Sequence, residues 1–149
     1  MTESNGKVAL ITGADRGIGF ETAKELGAQG YTVLIGSRNL ERGQNAVDKL
    51  KAMDITADTL QIDVTQRYTI QNAAGQINKM YHKLDVLINN AGIAMADDVL
   101  PSTVSEEVLR KTFDTNFFGS FVVTQIMLPL IRKSDAGRIV SLSYSVGSL

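Results

Sequence analysis

The chain has 149 residues, 44% of them apolar and 21% charged, which fits one globular domain with its own core and excludes disordered, collagen-like and fibrous classes. A formal net charge of −1 leaves no broad cationic surface for nucleic acid, and the lack of cysteine removes disulfides, thiol catalysis and thiolate metal sites. No apolar run nears the roughly 18 residues of a membrane span, and the polar start Met1-Thr2-Glu3-Ser4 does not read as a leader, so a soluble, cytoplasmic protein without a membrane partner is expected.

Short apolar runs alternate with longer amphipathic stretches. Lys7-Val8-Ala9-Leu10-Ile11 and Tyr31-Thr32-Val33-Leu34-Ile35 are the first two runs, and Thr59-Leu60-Gln61-Ile62 is a weaker third. Leu84-Asp85-Val86-Leu87-Ile88 and Arg138-Ile139-Val140-Ser141-Leu142 complete the set. Most are continuously apolar, as strands of a parallel sheet read when helices cover both faces.

Helical signals fill the gaps. Ile18, Thr22, Ala23 and Leu26 share one face, with Gly30 near the stop. Asn39 can cap a second helix that turns Ala46, Val47 and Leu50 inward. Thr65 is expected to cap a third, carrying Ile70, Ala73, Ala74, Ile77 and Met80. Thr103 with Glu106 reads as a capping box for a fourth. A more apolar fifth runs over 114–132, and Pro129 is expected to strain its last turn. With no internal repeat or linker, the pattern is five βα-type units in one domain over 1–149, an α/β doubly wound parallel sheet.

Directly after the first strand stands Thr12-Gly13-Ala14-Asp15-Arg16-Gly17-Ile18-Gly19. Gly13 permits a tight exit from the strand, Gly17 lets backbone N–H groups approach a pyrophosphate, and Gly19 allows helix and strand to pack closely. The whole loop, Gly13, Asp15, Arg16, Gly17, Ile18 and Gly19, is therefore a candidate dinucleotide cradle. At the end of the second strand, where an acid commonly accepts from a ribose 2′-hydroxyl, the sequence gives Gly36-Ser37-Arg38-Asn39. Ser37 and Arg38, with Arg16 from the loop, suit a 2′-phosphate instead, which points to NADP(H). Asp63-Val64 closes the third strand. It sits either beside an adenine or, in the case of Asp63, as a helix N-terminal acid without a ligand.

The glycine loop together with Asn89-Asn90-Ala91-Gly92 resembles the short-chain dehydrogenase/reductase family, in order and spacing through the whole chain. The stretch Ser37-Arg38-Asn39-Leu40-Glu41-Arg42-Gly43-Gln44 is most similar to its NADPH-dependent carbonyl-reductase branch. The resemblance implies a Rossmann-type fold of strand order 3-2-1-4-5 with helices on both faces. It implies that Asn90 steadies the central strands, that Ala91 and Gly92 lie near the nicotinamide ribose, and that Asn116 orders a water in a proton relay. The implied activity is hydride transfer between NADP(H) and a small carbonyl or alcohol substrate.

The family pattern breaks near the end. The fifth strand is usually followed by a Ser pair, two residues and a Gly; here Ser141-Leu142-Ser143-Tyr144-Ser145-Val146-Gly147 puts Tyr144 at the substrate-binding position, with Ser143 beside it. The Tyr-x-x-x-Lys pair is missing: the residues four after Tyr31, Tyr68, Tyr81 and Tyr144 are Ile35, Asn72, Asp85 and Ser148. A positioned acid contributes about 10²–10⁴-fold, so the expectation is a truncated, catalytically impaired reductase lacking the family's C-terminal catalytic and substrate segment. The alternative is a dinucleotide-binding sensor or interaction module without catalysis.

Nothing else offers rival chemistry. His82, the single histidine, reads as a surface residue at a helix end. Asp97-Asp98 and Glu106-Glu107 read as solvated or dipole-stabilising pairs, and no metal cluster is evident. Self-association is expected through the fifth-strand edge, where Ile139, Val140 and Leu142 stand, or through the 114–132 helix.

Overall fold

The computed structural model describes residues 3–92 and 105–142. Strands β1 (Val8–Thr12), β2 (Thr32–Ser37), β3 (Ala57–Gln61), β4 (Val86–Asn89) and β5 (Arg138–Ser141) form one sheet, ordered β3-β2-β1-β4-β5. Every pairing is parallel, with Ala9 opposite both Val33 and Val86, so the expected 3-2-1-4-5 order holds.

Successive side chains of a strand point to opposite faces, and here both faces are covered. Val8 and Leu10 of β1 join Leu34, Leu60 and Leu87 on one face. There they pack on helices α3 (Arg67–Tyr81) and α5 (Gly119–Ile131), through Ile70, Ile77, Val123 and Met127. Ala9 and Ile11 face the other way with Val33, Ile35 and Ile88. They meet α1 (Gly17–Ala28) and α2 (Leu40–Lys51) through Ala23, Ala46, Val47 and Leu50. Each fully buried Leu, Ile or Val contributes about 1.5–3 kcal/mol, which is why the central strands show no polar alternation.

The lower ends of the strands are pinned by Asp85, which precedes β4 and is buried. Its Oδ2 accepts from the Val8 N–H at 2.8 Å and from Lys83 Nζ at 2.8 Å, and its Oδ1 accepts from Ser134 Oγ at 2.6 Å. Lys83 Nζ also donates to the Gly6 carbonyl at 2.8 Å. Burial alone would raise the Asp85 pKa, but the donors Lys83, Ser134 and the Val8 N–H outweigh it and hold the carboxyl below the usual carboxylate value.

Several helix boundaries depart from expectation. Thr65 does not cap α3: the cap position is Gln66, without a side-chain bond. The Thr65 hydroxyl and N–H instead both donate to Asp63 Oδ1, at 2.6 and 3.0 Å. The hydroxyl is turned toward the Asp63 carboxylate, and its oxygen accepts from no N–H of the helix end. Thr103 lies outside the described residues; the cap of α4 (Glu106–Phe113) is Ser105, whose Oγ accepts from the Val108 N–H at 3.2 Å. Glu106 and Glu107 fall in the first turn of α4, as dipole-stabilising acids should.

Asp114 does not start a separate helix. Residues Asp114–Phe118 form a π-helical turn that joins α4 to α5 in one run. Pro129 is carried inside α5, and the Arg132 N–H still reaches the Leu128 carbonyl at 2.9 Å. Proline there removes a single N–H, and the turn after it closes with an ordinary hydrogen bond. His82 is the C-cap of α3 in the left-handed conformation, φ 65°, remote from the chemistry below.

Candidate functional site

The site forms at the C-terminal ends of the strands, where the chain leaves β1 in one direction and β4 in the other. Open α/β sheets place ligands at this switch point. After Thr12 the backbone turns through Gly13 at φ 62°, and any Cβ there would come 2.9 Å from the Ala91 Cα. Gly17 opens α1 at φ 64°, with nothing within 4 Å of where a Cβ would stand. A Cβ on Gly19 would collide with Asn90 Nδ2 and come 2.8 Å from the Gly13 carbonyl.

These contacts hang on Thr12 and Asn90. Thr12 Oγ1 accepts from the N–H groups of Asn90 and Ala91, both at 3.0 Å. Asn90 Nδ2 donates back to the carbonyls of Thr12 and Gly13, at 3.1 and 3.0 Å. The ends of β1 and β4 are thereby fixed to each other through Thr12 and Asn90.

A cavity of roughly 270 Å³ opens between these strand ends. Gly13, Asp15, Arg16, Gly17 and Ile18 line it from the loop, and Ser37 and Arg38 from the end of β2. Asp63 and Val64 line it after β3, and Asn90, Ala91 and Gly92 after β4. Gly19 does not line it; its part is the close packing on Asn90. Asn116 stands next to the site, since a Cβ on Gly92 would lie 2.9 Å from its Oδ1. Ser143 and Tyr144 lie outside the described residues.

The cavity also holds residues that sequence reasoning missed as site residues: Arg42, Ile62, Thr65 and Thr115. Arg42 lies in the first turn of α2, whose entry is organised by Ser37 and Asn39. Ser37 Oγ donates to the Asn39 carbonyl at 2.9 Å, and Asn39 Oδ1 accepts from the Arg42 N–H at 2.9 Å, the capping role expected of Asn39. Gly43 lets the helix approach Thr59 of β3 more closely than any side chain would allow. Arg42 Nε then meets Asp15 Oδ2 at 3.3 Å. Thr115 reaches the cavity because the π-helical turn inserts an extra residue where α4 passes into α5, an arrangement frequent at functional sites.

The donor set fits a dinucleotide. Arg16 is the cap residue of α1 and makes no side-chain cap bond, and the first turn holds no acid. The orphan N–H groups of that turn are left for an anion, beside a glycine cradle that a Cβ would fill. Three arginines, Arg16, Arg38 and Arg42, line the same cavity. Among the described residues no tyrosine lines the cavity, no group of three His, Cys, Asp or Glu side chains is placed to hold a metal, and no helix is long and apolar enough to cross a membrane.

A parallel sheet of this order, with a glycine turn feeding an uncapped helix at its switch point, defines a Rossmann-type dinucleotide-binding domain. The model of the short chain dehydrogenase family matches residues 7–149, and the chain belongs to that family. It is 40% identical over 145 residues to carbonyl reductase [NADPH] 1 of Mus musculus, covering 96% of this chain and 50% of that protein. It is 32% identical to (+)-neomenthol dehydrogenase of Arabidopsis thaliana, covering 100% of this chain and 57% of the other. Among solved structures, an actinorhodin polyketide ketoreductase variant with NADPH superposes with a TM-score of 0.90 at 30% identity, over 100% of this chain and 57% of that one. The chain spans about half the length of the curated relatives it matches.

Proposed function

We propose that this chain forms the NADP(H)-binding part of an oxidoreductase that moves a hydride between the nicotinamide and a small carbonyl or alcohol. The observation that carries the reading is that Arg38, directly after β2 where an NAD-type site has a carboxylate, lines one cavity with Arg16 of the glycine loop and Arg42 of α2. The carbonyl reductase [NADPH] 1 of mouse and the ketoreductase solved with NADPH support the same cofactor.

In this reading the N–H groups at the start of α1 and the Gly13–Gly17 turn hold the pyrophosphate. Arg16, Arg38 and Ser37 hold the 2′-phosphate side, Asp63 and Val64 border the adenine, and Ala91 and Gly92 border the nicotinamide ribose. When bound, NADPH supplies the hydride. Asn116, brought beside Gly92 by the π-helical turn, serves to order a water on the proton path. Ser143 and Tyr144 are the hydroxyl donors available to a substrate carbonyl.

The 149 residues contain no tyrosine followed four places on by lysine. We therefore propose that this chain alone binds cofactor but turns over little substrate. The test is paired: binding of NADPH to wild type and Arg38→Leu, and NADPH oxidation with a panel of small ketones. The reading expects Arg38→Leu to weaken NADPH about tenfold or more while sparing NADH, with no measurable oxidation by either protein. Brisk ketone reduction by wild type contradicts the impaired-enzyme part, and an Arg38→Leu variant that binds NADPH normally contradicts the cofactor part.

We propose too that copies of the chain associate through exposed apolar surface. Phe117 and Phe121 on the π-turn and α5 are 61% and 58% exposed, and all four residues of β5 are exposed.

A further inference from the structure

Asp15 is one of two acids, with Asp63, lining a cavity that also holds Arg16, Arg38 and Arg42. Its side chain is only 12% exposed, and Arg42 Nε is its one hydrogen-bond or ion-pair partner among the described residues. The pair bridges the glycine loop and α2 along the wall that also carries Arg16, Arg38 and Ser37. Arg42 is half exposed and approaches Asp15 most closely through Nε.

We propose that Asp15 is a specificity-determining residue that narrows the preference for a 2′-phosphate over a 2′-hydroxyl; the proposal rests on the NADP(H) reading above. A ribose 2′-hydroxyl can donate to a carboxylate, the chemistry that NAD-type sites obtain from an acid at the end of β2. This chain has no acid there, but the glycine loop brings one into the same cavity, against Arg42 of α2. Toward a 2′-phosphate dianion the same carboxylate has nothing to donate. It repels the phosphate across a partly enclosed space and competes with it for Arg42. The three arginines attract the phosphate, and Asp15 offsets part of that attraction while giving the hydroxyl form a partner.

Asp15→Asn removes the charge and keeps an acceptor for Arg42 Nε, and Asp15→Ala removes both. The pair of probes is adenosine 2′,5′-bisphosphate and adenosine 5′-monophosphate, which differ only in the 2′-phosphate and contain no nicotinamide. Calorimetric titration of the full chain should show both variants binding the bisphosphate roughly tenfold tighter than wild type does, and the monophosphate no tighter. If instead Asp15→Ala binds the bisphosphate more weakly and Asp15→Asn restores it, Asp15 serves to aim Arg42 and the proposal is overturned. An unchanged ratio in both variants, with wild type still preferring the bisphosphate, overturns the role of Asp15 and leaves the NADP(H) reading standing. A wild-type chain that prefers the monophosphate, or binds neither, overturns both. Unfolding midpoints equal to wild type establish that the variants are folded.

Discussion

Replacing Asp85 tests whether the strand ends opposite the cofactor cavity are held by one carboxylate. Asp85→Ala strips the partner from the Val8 N–H, bonded at 2.8 Å, and from Ser134 Oγ, bonded at 2.6 Å. An orphaned buried N–H costs about 1–3 kcal/mol, and each further lost bond about 0.5–1.5 kcal/mol. Lys83 is one-third exposed and keeps its bond to Gly6, so its share is at the surface-pair level, below about 1 kcal/mol. The sum is about 3 kcal/mol, or roughly 6–12 °C in the unfolding midpoint for a domain of this size. Asp85→Asn can still accept from Val8 and reach Ser134, so it should lose only about 1 kcal/mol.

The same pair of variants has a pH signature. The Asp85 pKa is lowered in the folded chain, chiefly by Lys83, Ser134 and the Val8 N–H overcoming burial. Between that lowered value and the unfolded value near about 4, the unfolded form binds more protons, so stability falls as pH falls. The contribution is fully present above the unfolded pKa and is lost as pH drops through the folded one. Urea unfolding of wild type and Asp85→Asn at neutral and acid pH should show a gap at neutral pH that shrinks on acidification. An Asp85→Ala loss below about 1 kcal/mol, or a wild-type gap over Asp85→Asn that ignores pH, refutes the reasoning.

Thr12→Val leaves the N–H groups of Asn90 and Ala91 without their shared acceptor and should cost about 2–4 kcal/mol by urea unfolding, taking cofactor affinity down with it. Gly19→Ala forces a methyl against Asn90 Nδ2 and should cost about 1–3 kcal/mol in the same assay, whereas Gly75→Ala, with open space around it, should stabilise α3 slightly. Phe117→Ser with Phe121→Ser should lower the sedimentation coefficient if copies meet at the exposed face of the π-turn and α5; an unchanged coefficient removes that face from consideration.

The sheet was legible because burial on both sides writes strands as unbroken apolar runs: β1, β2 and β4 read directly. β3 was fainter because Asp58, Thr59 and Gln61 are partly exposed at the sheet's outer edge, and its start at Ala57 went unseen. The glycine loop was legible because its positive φ angles and close contacts tolerate few other residues. The helix entries at 65 and 103 misled, since a threonine near a helix start reads as a cap whether or not its hydroxyl is turned toward a neighbour such as Asp63. The π-helical turn left no mark, as Asp114 looks like the start of a new helix. Arg42 was hidden for a tertiary reason. In sequence it is one more cation on a charged helix, and only the tight seat of Gly43 against Thr59 turns that first turn toward the loop.

The most direct test of the account is calorimetric titration of the 149-residue chain with NADPH and, separately, with NADH. The arginines lining the cavity predict NADPH binding tighter by about tenfold, with Asp15 holding the margin to that order. Equal affinities, a preference for NADH, or heat from neither ligand would contradict the assignment of this cavity to NADP(H).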